Sequence, residues 1–213
     1  MYAISYSVLD QILHGALEAF QYAQNQYDEL SKREIFYTLY GPEAYGIGAA
    51  SPSHLVSTRE RKLSPKTKRK AYTVYELDIN YKLLCNRIVD AGAIDCSYYH
   101  FELNDVRYAV SFLGLNNQIY TNVIHCLKLE NGRPLFYAEA SPSMLYVEFY
   151  EPQLRNGTLK NMVTSCWYYP NRSVSERGIP LSRTAPIGEI NSPVTVEFYE
   201  MVLPDIDFTQ WFH

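Results

Sequence analysis

The feature that most constrains the fold is a series of short segments of β-forming residues joined by two-residue turns. SYYHFEL and VRYAVSFL flank Asn104-Asp105, and NVIHCLKL and PLFYAEA flank Asn131-Gly132. MLYVEFYE and NMVTSCWYY lie on either side of Asn156-Gly157. Asn-Gly favours a type I′ hairpin, because both central residues of that turn take positive φ. Successive hairpins predict a mainly antiparallel sheet.

Other segments are assigned from their apolar spacing. YELDI at 75–79 alternates like a half-buried strand, and VTVEFYEMV at 194–202 predicts the last strand. EIFYTLY at 34–40 fits either a helix or a strand, ended by Gly41-Pro42. Leu84 and Ile88 share one face of a predicted short helix that stops at Gly92. The two halves of the chain therefore differ, with helix first and strands afterwards.

The N-terminal segment carries an apolar stripe typical of an amphipathic helix. The i, i+1, i+4, i+5 spacing places its apolar residues on one face. Gly15 interrupts this helix at a cost of about 1 kcal/mol against alanine, unless another part of the chain packs there. We expect the stripe to be buried against the sheet. Its members are Val8, Leu9, Ile12, Leu13, Ala16, Leu17 and Phe20.

Together these patterns predict an α+β fold. An N-terminal amphipathic helix packs on a predominantly antiparallel, hairpin-rich sheet, and curling of that sheet toward a barrel is left open. Residues 1–40 form the helical segment, 41–71 a Gly/Pro-rich and basic connection, and 72–213 a β-rich domain. We expect 1–40 and 72–213 to form one globular unit, because 213 residues suffice for one substantial core.

Composition narrows the class of protein. Hydrophobic residues at 47% and charged residues at 20% describe a folded globule rather than a disordered chain. The four cysteines have no CxxC spacing and no paired histidines, so we predict no metal and no cofactor. The start MYAISYSVLD lacks the basic end of a secretory signal, and the apolar runs are too short to span a bilayer. The sequence predicts a soluble, intracellular, cytoplasmic protein without membrane contact.

RERKLSPKTKRK at 59–70 has seven basic residues and one acidic residue in a chain of net charge −4. Such a run can neutralise the phosphates of a nucleic acid or another polyanion, and KTKRK also fits a nuclear address. The third interpretation, a charged solvated loop, is favoured, because the run has no aromatic residue for base stacking. Its candidate binding residues are Arg59, Arg61, Lys62, Lys66, Lys68, Arg69 and Lys70.

The pentapeptide VEFYE occurs at 147–151 and again at 196–200. Alternation puts Glu148 with Tyr150 on one face, and Glu197 with Tyr199. If the two strands are neighbours and this face lines a pocket, the carboxylates and phenols suit acid–base chemistry or a hard cation. The simpler interpretation is that they decorate a solvent-facing sheet. His100, beside Tyr98 and Glu102, is a further candidate for a titrating group.

Tyrosine is the unusual component, with 20 residues in the chain. Tyrosine suits binding surfaces because its apolar ring carries a polar tip. With no catalytic motif, this favours a non-enzymatic binding or assembly protein that acts through a tyrosine-rich surface and the basic loop. The expected partner is another protein or a second copy of this chain. A nucleic acid or other polyanion is a further candidate partner for residues 59–70. The alternative is an enzyme or small-ligand binder with a pocket on the Glu/Tyr face.

Overall fold

A computed structural model gives the architecture. It describes residues 6–42, 64–66, 70–90, 92–111, 113–115, 118–120, 123–142, 144–155, 158–169, 185–186 and 194–201. The helices are α1 (Tyr6–Asn25) and α2 (Tyr27–Ser31). The strands are β1 (Tyr37–Pro42), β2 (Tyr72–Leu77), β3 (Leu83–Asp90), β4 (Ala93–Leu103), β5 (Val106–Ser111), β6 (Leu113–Leu115), β7 (Gln118–Tyr120), β8 (Ile124–Glu130), β9 (Arg133–Ser141), β10 (Met144–Arg155), β11 (Thr158–Tyr168), β12 (Ala185–Pro186) and β13 (Val194–Met201).

One large antiparallel sheet dominates the fold. Its strand order is β1-β2-β3-β4-β5-β8-β9-β10-β11-β13-β12, and β6 and β7 form a separate two-stranded ribbon. Nearly every neighbour in the sheet is also the next strand along the chain, as expected for successive hairpins. The predicted α+β class is confirmed. In the described part of the chain the sheet is open rather than closed into a barrel, with β1 and β12 at its two edges.

The turn chemistry places the hairpins where the sequence predicts them. Asn104 and Asp105 have φ of 51° and 58° between β4 and β5, and Asn131 and Gly132 have φ of 51° and 77° between β8 and β9. Two consecutive positive φ values are the mark of a type I′ turn. Arg155 of β10 pairs with Thr158 of β11, so these two strands also pair in antiparallel fashion up to the predicted turn, whose two residues lie outside the described part of the chain.

The predicted short helix through Leu84 and Ile88 is wrong: this segment is strand β3. Six of its eight residues are buried, including the polar Asn86, so the strand is covered on both faces. A strand covered on both faces loses the apolar–polar alternation that identifies it, and four-residue spacing then suits a strand as well as a helix. Gly92, the predicted helix stop, lies in the β3–β4 turn with φ of 86°.

Helix α1 packs across the middle of the sheet, mainly against β5, β8 and β9. The predicted stripe supplies the buried contacts, and Leu13 is only 4% exposed. The contact includes small residues, with Ala16 on the helix and Ala138 on the sheet both fully buried. The Tyr168 hydroxyl donates to Asp10 Oδ1 at 2.5 Å, which ties the start of α1 to β11. The same core includes Leu9, Ala19, Ala23, Val110, Ile124, Cys126, Ala140, Leu145 and Val147.

The β8–β9 hairpin contains a bulge that decides which side chains meet. Leu129 pairs with Pro134, but Lys128 pairs with Phe136, so the intervening Leu135 is the extra residue. Proline has no N–H to donate to the neighbouring strand. Pro134, the second residue of β9, therefore favours an irregularity at this end of the strand. Beyond the bulge, His125 faces Glu139.

Candidate functional site

The sheet face opposite α1 holds a chain of polar aromatic, imidazole and carboxylate side chains. Glu148 on β10 accepts hydrogen bonds from the Tyr146 hydroxyl at 2.6 Å and from the Tyr150 hydroxyl. Residues two apart on a strand lie on the same face, so the sequence Tyr-Val-Glu-Phe-Tyr sets a carboxylate between two phenols. Tyr150 is 1% exposed, whereas Tyr146 and Glu148 are half-buried, so this part of the group is only partly shielded from water.

A second part of the group lies on β8 and β9. The Tyr137 hydroxyl donates to Glu139 Oε1 at 2.8 Å and lies 2.8 Å from His125 Nδ1. A phenol has one proton to donate, so His125 Nδ1 carries the hydrogen of the second bond. Tyr98 meets the imidazole edge-on, with ring centroids 5.3 Å apart. We call His125, Tyr137, Glu139, Tyr146, Glu148 and Tyr150 the phenol–carboxylate network.

Burial controls protonation in this network. Loss of hydration lowers the pKa of His125 to about 4, so its imidazole is neutral at pH 7. His125 Nδ1 and Glu139 Oε1 are 4.0 Å apart, and with a neutral imidazole this contact is no ion pair. Burial also raises the pKa of Glu139, with the charge of Glu148 adding to the rise and the Tyr137 hydrogen bond opposing it. The pKa of Tyr137 is raised for the same reason, so its hydroxyl keeps its proton.

The strand register relates the two VEFYE segments. Glu148 of β10 faces Ser165 of β11, and Ser165 faces Glu197 of β13, so the three residues form one row across the sheet. In the neighbouring row, Tyr150 faces Val163, which faces Tyr199. The two VEFYE strands are therefore separated by β11, about 10 Å apart at the usual strand spacing. The contacts that Glu148 makes are instead with Tyr146 and Tyr150 of its own strand.

His100 is fixed in a different setting from the one that the sequence suggests. It is 6% exposed, and its Nε2 lies 2.6 Å from Asn86 Oδ1. Burial, together with the charges of Arg33 and Arg107 and the nearby His125, lowers its pKa to about 3. A neutral, buried imidazole that is hydrogen-bonded to an amide can hold β3 and β4 together. A catalytic role for His100 stays a prediction.

Arg33 holds the adjacent end of the β3–β4 ladder. Its guanidinium donates to the carbonyls of His100 at 2.7 Å and Leu84 at 2.6 Å, and its Nε donates to the carbonyl of Leu30. These three bonds join the end of α2 to two strands. Sequence reasoning missed this residue, because nothing in the spacing of a single arginine reveals which carbonyls it will meet.

The basic run lies mostly outside the described residues. Lys66 and Lys70 are exposed, while Arg59, Arg61, Lys62, Lys68 and Arg69 fall outside that part of the chain. Just before Lys66, Ser64 exchanges two backbone hydrogen bonds with Tyr40 of β1, at 2.8 and 3.0 Å. The two described lysines therefore lie in segments that adjoin edge strand β1: one follows its contact with Ser64, and the other precedes β2.

Exposed aromatic residues lie at the start of β1, at the end away from the contact with Ser64. The rings of Tyr37 and Tyr81 stack with centroids 4.1 Å apart, and a side-chain hydrogen bond to Tyr81 raises the pKa of Tyr37. Tyr81 is 50% exposed, and Ile35, Phe36 and Ile79 are also exposed. We call these five residues the β1 corner. Single exposed apolar residues are ordinary on a protein surface, and these five come from two segments that adjoin each other through the backbone hydrogen bond from Phe36 to Leu77.

The backbone of the turn at 78–82 fixes the position of Tyr81 in the β1 corner. Tyr81 has φ of 62°, a left-handed conformation that is rare for a bulky residue. The turn that carries it is closed by Asp78, whose Oδ1 accepts from the N–H groups of Asn80 and Lys82 at 2.8 Å. Strain of this sort persists only where the surroundings impose it.

The described residues contain no cluster of three His, Cys, Asp or Glu side chains arranged to hold a metal ion. Within the same part of the chain, no helix has the length and apolar character needed to cross a membrane. Comparison with known protein families, curated proteins and solved structures finds no match to this chain. Functional inference therefore rests on the geometry of the β1 corner and the phenol–carboxylate network.

Proposed function

We propose that the protein is a non-enzymatic binding or assembly protein whose contact surface is the β1 corner. The observation that carries the proposal is Tyr81, which is half exposed, stacked on Tyr37 and held at positive φ. A rigid aromatic anchor loses little conformational entropy on binding, and aromatic anchors supply much of the energy of protein interfaces.

The first partner to test is a second copy of this chain. The border of the β1 corner carries both signs of charge, with Glu34 and Asp78 close in sequence to Lys32 and Lys82. Two copies related by a two-fold axis present the same surface to each other, and a border of mixed sign avoids like-charge repulsion. The apolar centre then supplies the attraction.

Hydrogen exchange at low and high protein concentration tests this contact. Self-association through the β1 corner slows exchange of amides in 35–38 and 79–82 at high concentration, and leaves the distant Asn104-Asp105 turn unchanged. Exchange that is independent of concentration in both segments contradicts the proposed partner.

The exposed lysines of the basic run give the same protein a second contact. Lys66 and Lys70 are exposed near the other end of β1, where an acidic surface of a protein or nucleic acid can reach them. Such binding would weaken steeply between about 50 and 200 mM salt, because each phosphate contact releases counterions. An affinity that does not change with salt concentration would argue against this role for 59–70.

The alternative function is an enzyme or small-ligand binder that uses the Glu/Tyr face. Its support is the phenol–carboxylate network, in which a half-buried carboxylate with a raised pKa, Glu139, lies near a second carboxylate, Glu148. Two carboxylates in unlike environments suit acid–base work. Under this alternative, Glu148→Gln or Glu197→Gln abolishes activity toward a substrate while leaving the melting temperature nearly unchanged.

A further inference from the structure

A cleft of about 360 Å³ lies between the first half of α1 and the sheet, away from both the β1 corner and the phenol–carboxylate network. Two of the residues that line it are small, Gly15 on α1 and Cys126 on β8. Its remaining walls are almost wholly apolar. They include Val8, Ile12, Val106 and Phe149.

Two residues with polar side chains line this apolar cleft, the exposed Gln11 and the buried Tyr108. Tyr108 is 5% exposed and lines the cleft, and a methyl group added to Gly15 would lie 3.2 Å from its hydroxyl oxygen. No residue in the described part of the chain hydrogen-bonds to that hydroxyl. Burial raises the pKa of Tyr108, and Cys126 and Glu18 add to the rise, so the group stays protonated and can donate. Because the cleft is open, a ligand can reach this hydroxyl and offer it an acceptor for a hydrogen bond.

We infer that this cleft binds a small, neutral, mostly apolar molecule with one hydrogen-bond acceptor directed at Tyr108. A volume of about 360 Å³ corresponds to roughly ten non-hydrogen atoms, at about 30 Å³ for each water-sized group. The ligand is neutral because neither α1 nor the described residues that line the cleft include a lysine or arginine that could pair with an anion. Burying an unpaired carboxylate here would be strongly unfavourable.

Methyl-resolved NMR tests the site with methyl heptyl ketone, which has an apolar chain and one carbonyl. Titration should shift the methyl signals of Ile12 and Val106 in a saturable way and leave Ile88, on β3, unchanged. Octanoate matches the ketone in size but carries a charge, and at pH 7.5 it should bind at least about tenfold more weakly. Absence of saturable shifts, or equal binding of octanoate, overturns the proposal.

Two substitutions separate the acceptor contact from simple burial. Tyr108→Phe keeps the ring and removes the donor, so ketone affinity should fall by roughly three- to tenfold. Gly15→Ala leaves the hydroxyl in place but crowds it, and should also weaken binding. Tyr27→Phe, on α2 away from the cleft, is the matched control and should bind as the wild type does.

Other outcomes of the same experiment also decide the question. Unchanged affinity in Tyr108→Phe and in Gly15→Ala overturns the site as assigned. If the Ile12 and Val106 signals move with protein concentration in the absence of ketone, a second copy fills the cleft and the small-ligand proposal is wrong.

Discussion

Replacing Leu13 by alanine tests how α1 is held on the sheet. Leu13 is 4% exposed and belongs to the core shared by the helix and the strands. Removing its side-chain carbons loses their burial and leaves a cavity, and such changes cost about 2–5 kcal/mol. The same core includes the fully buried Ala16 and Ala138, whose short side chains cannot extend into the space. We therefore expect about 3–4 kcal/mol.

Chemical denaturation measures this loss. The midpoint of the Leu13→Ala variant should fall while the denaturant dependence, which follows the surface exposed on unfolding, stays the same. Gln24→Ala is the matched control on the exposed side of α1 and should change the free energy of unfolding by less than about 0.5 kcal/mol. A cost below about 0.5 kcal/mol for Leu13→Ala would refute the packing of α1 described above.

Three further changes test other parts of the structure. Arg33→Gln removes charged donors from the carbonyls of Leu84 and His100 and should cost about 2 kcal/mol in chemical denaturation, where no loss would contradict the bridge. Stability should fall as the pH drops below about 6.5, because His125 and His100 are protonated in the unfolded chain but stay neutral in the folded one until the pH reaches about 4 and about 3. His125→Gln should remove part of that fall, and an unchanged profile would argue against a buried neutral imidazole at His125. Limited trypsin treatment should cut first between Arg59 and Lys70, where the charge density opposes burial, and protection there would mean that the run is folded into the structure.

The turn residues made much of the fold predictable. With Asn156-Gly157 as a two-residue turn, counting outward pairs Glu148 with Ser165, and the structure has that register. The helix stripe was equally readable, because one face of α1 is buried and the other is exposed. Strand β3 was misassigned because burial on both faces removes its alternation.

The phenol–carboxylate network was only partly within reach of the sequence. Counting outward from Asn131-Gly132 without a bulge would pair His125 with Ala138, whereas the bulge at Leu135 pairs it with Glu139. A shift of one residue moves side chains to the other face of a strand, so the meeting of His125 with Tyr137 and Glu139 depended on an irregularity that spacing does not reveal. Pro134 was the one residue in the sequence that indicated a bulge in this hairpin.

The β1 corner was not predicted, because its members come from separate segments. Tyr37 and Tyr81 stack only after β1 has paired with β2 and the following turn has folded back. The excess of tyrosine indicated a binding surface without locating it. The positive φ of Tyr81 has no sequence signal comparable to an Asn-Gly turn.

Sedimentation velocity of the wild type and of Tyr81→Gly tests the central claim most directly. Glycine accepts the positive φ of this position without strain, so the variant should keep its fold while losing the aromatic anchor. The account predicts that the wild type shifts toward a dimer as its concentration rises, and that Tyr81→Gly sediments as a 24.6 kDa monomer throughout. A wild type that stays monomeric, or a variant that associates equally well, would contradict an assembly role for the β1 corner.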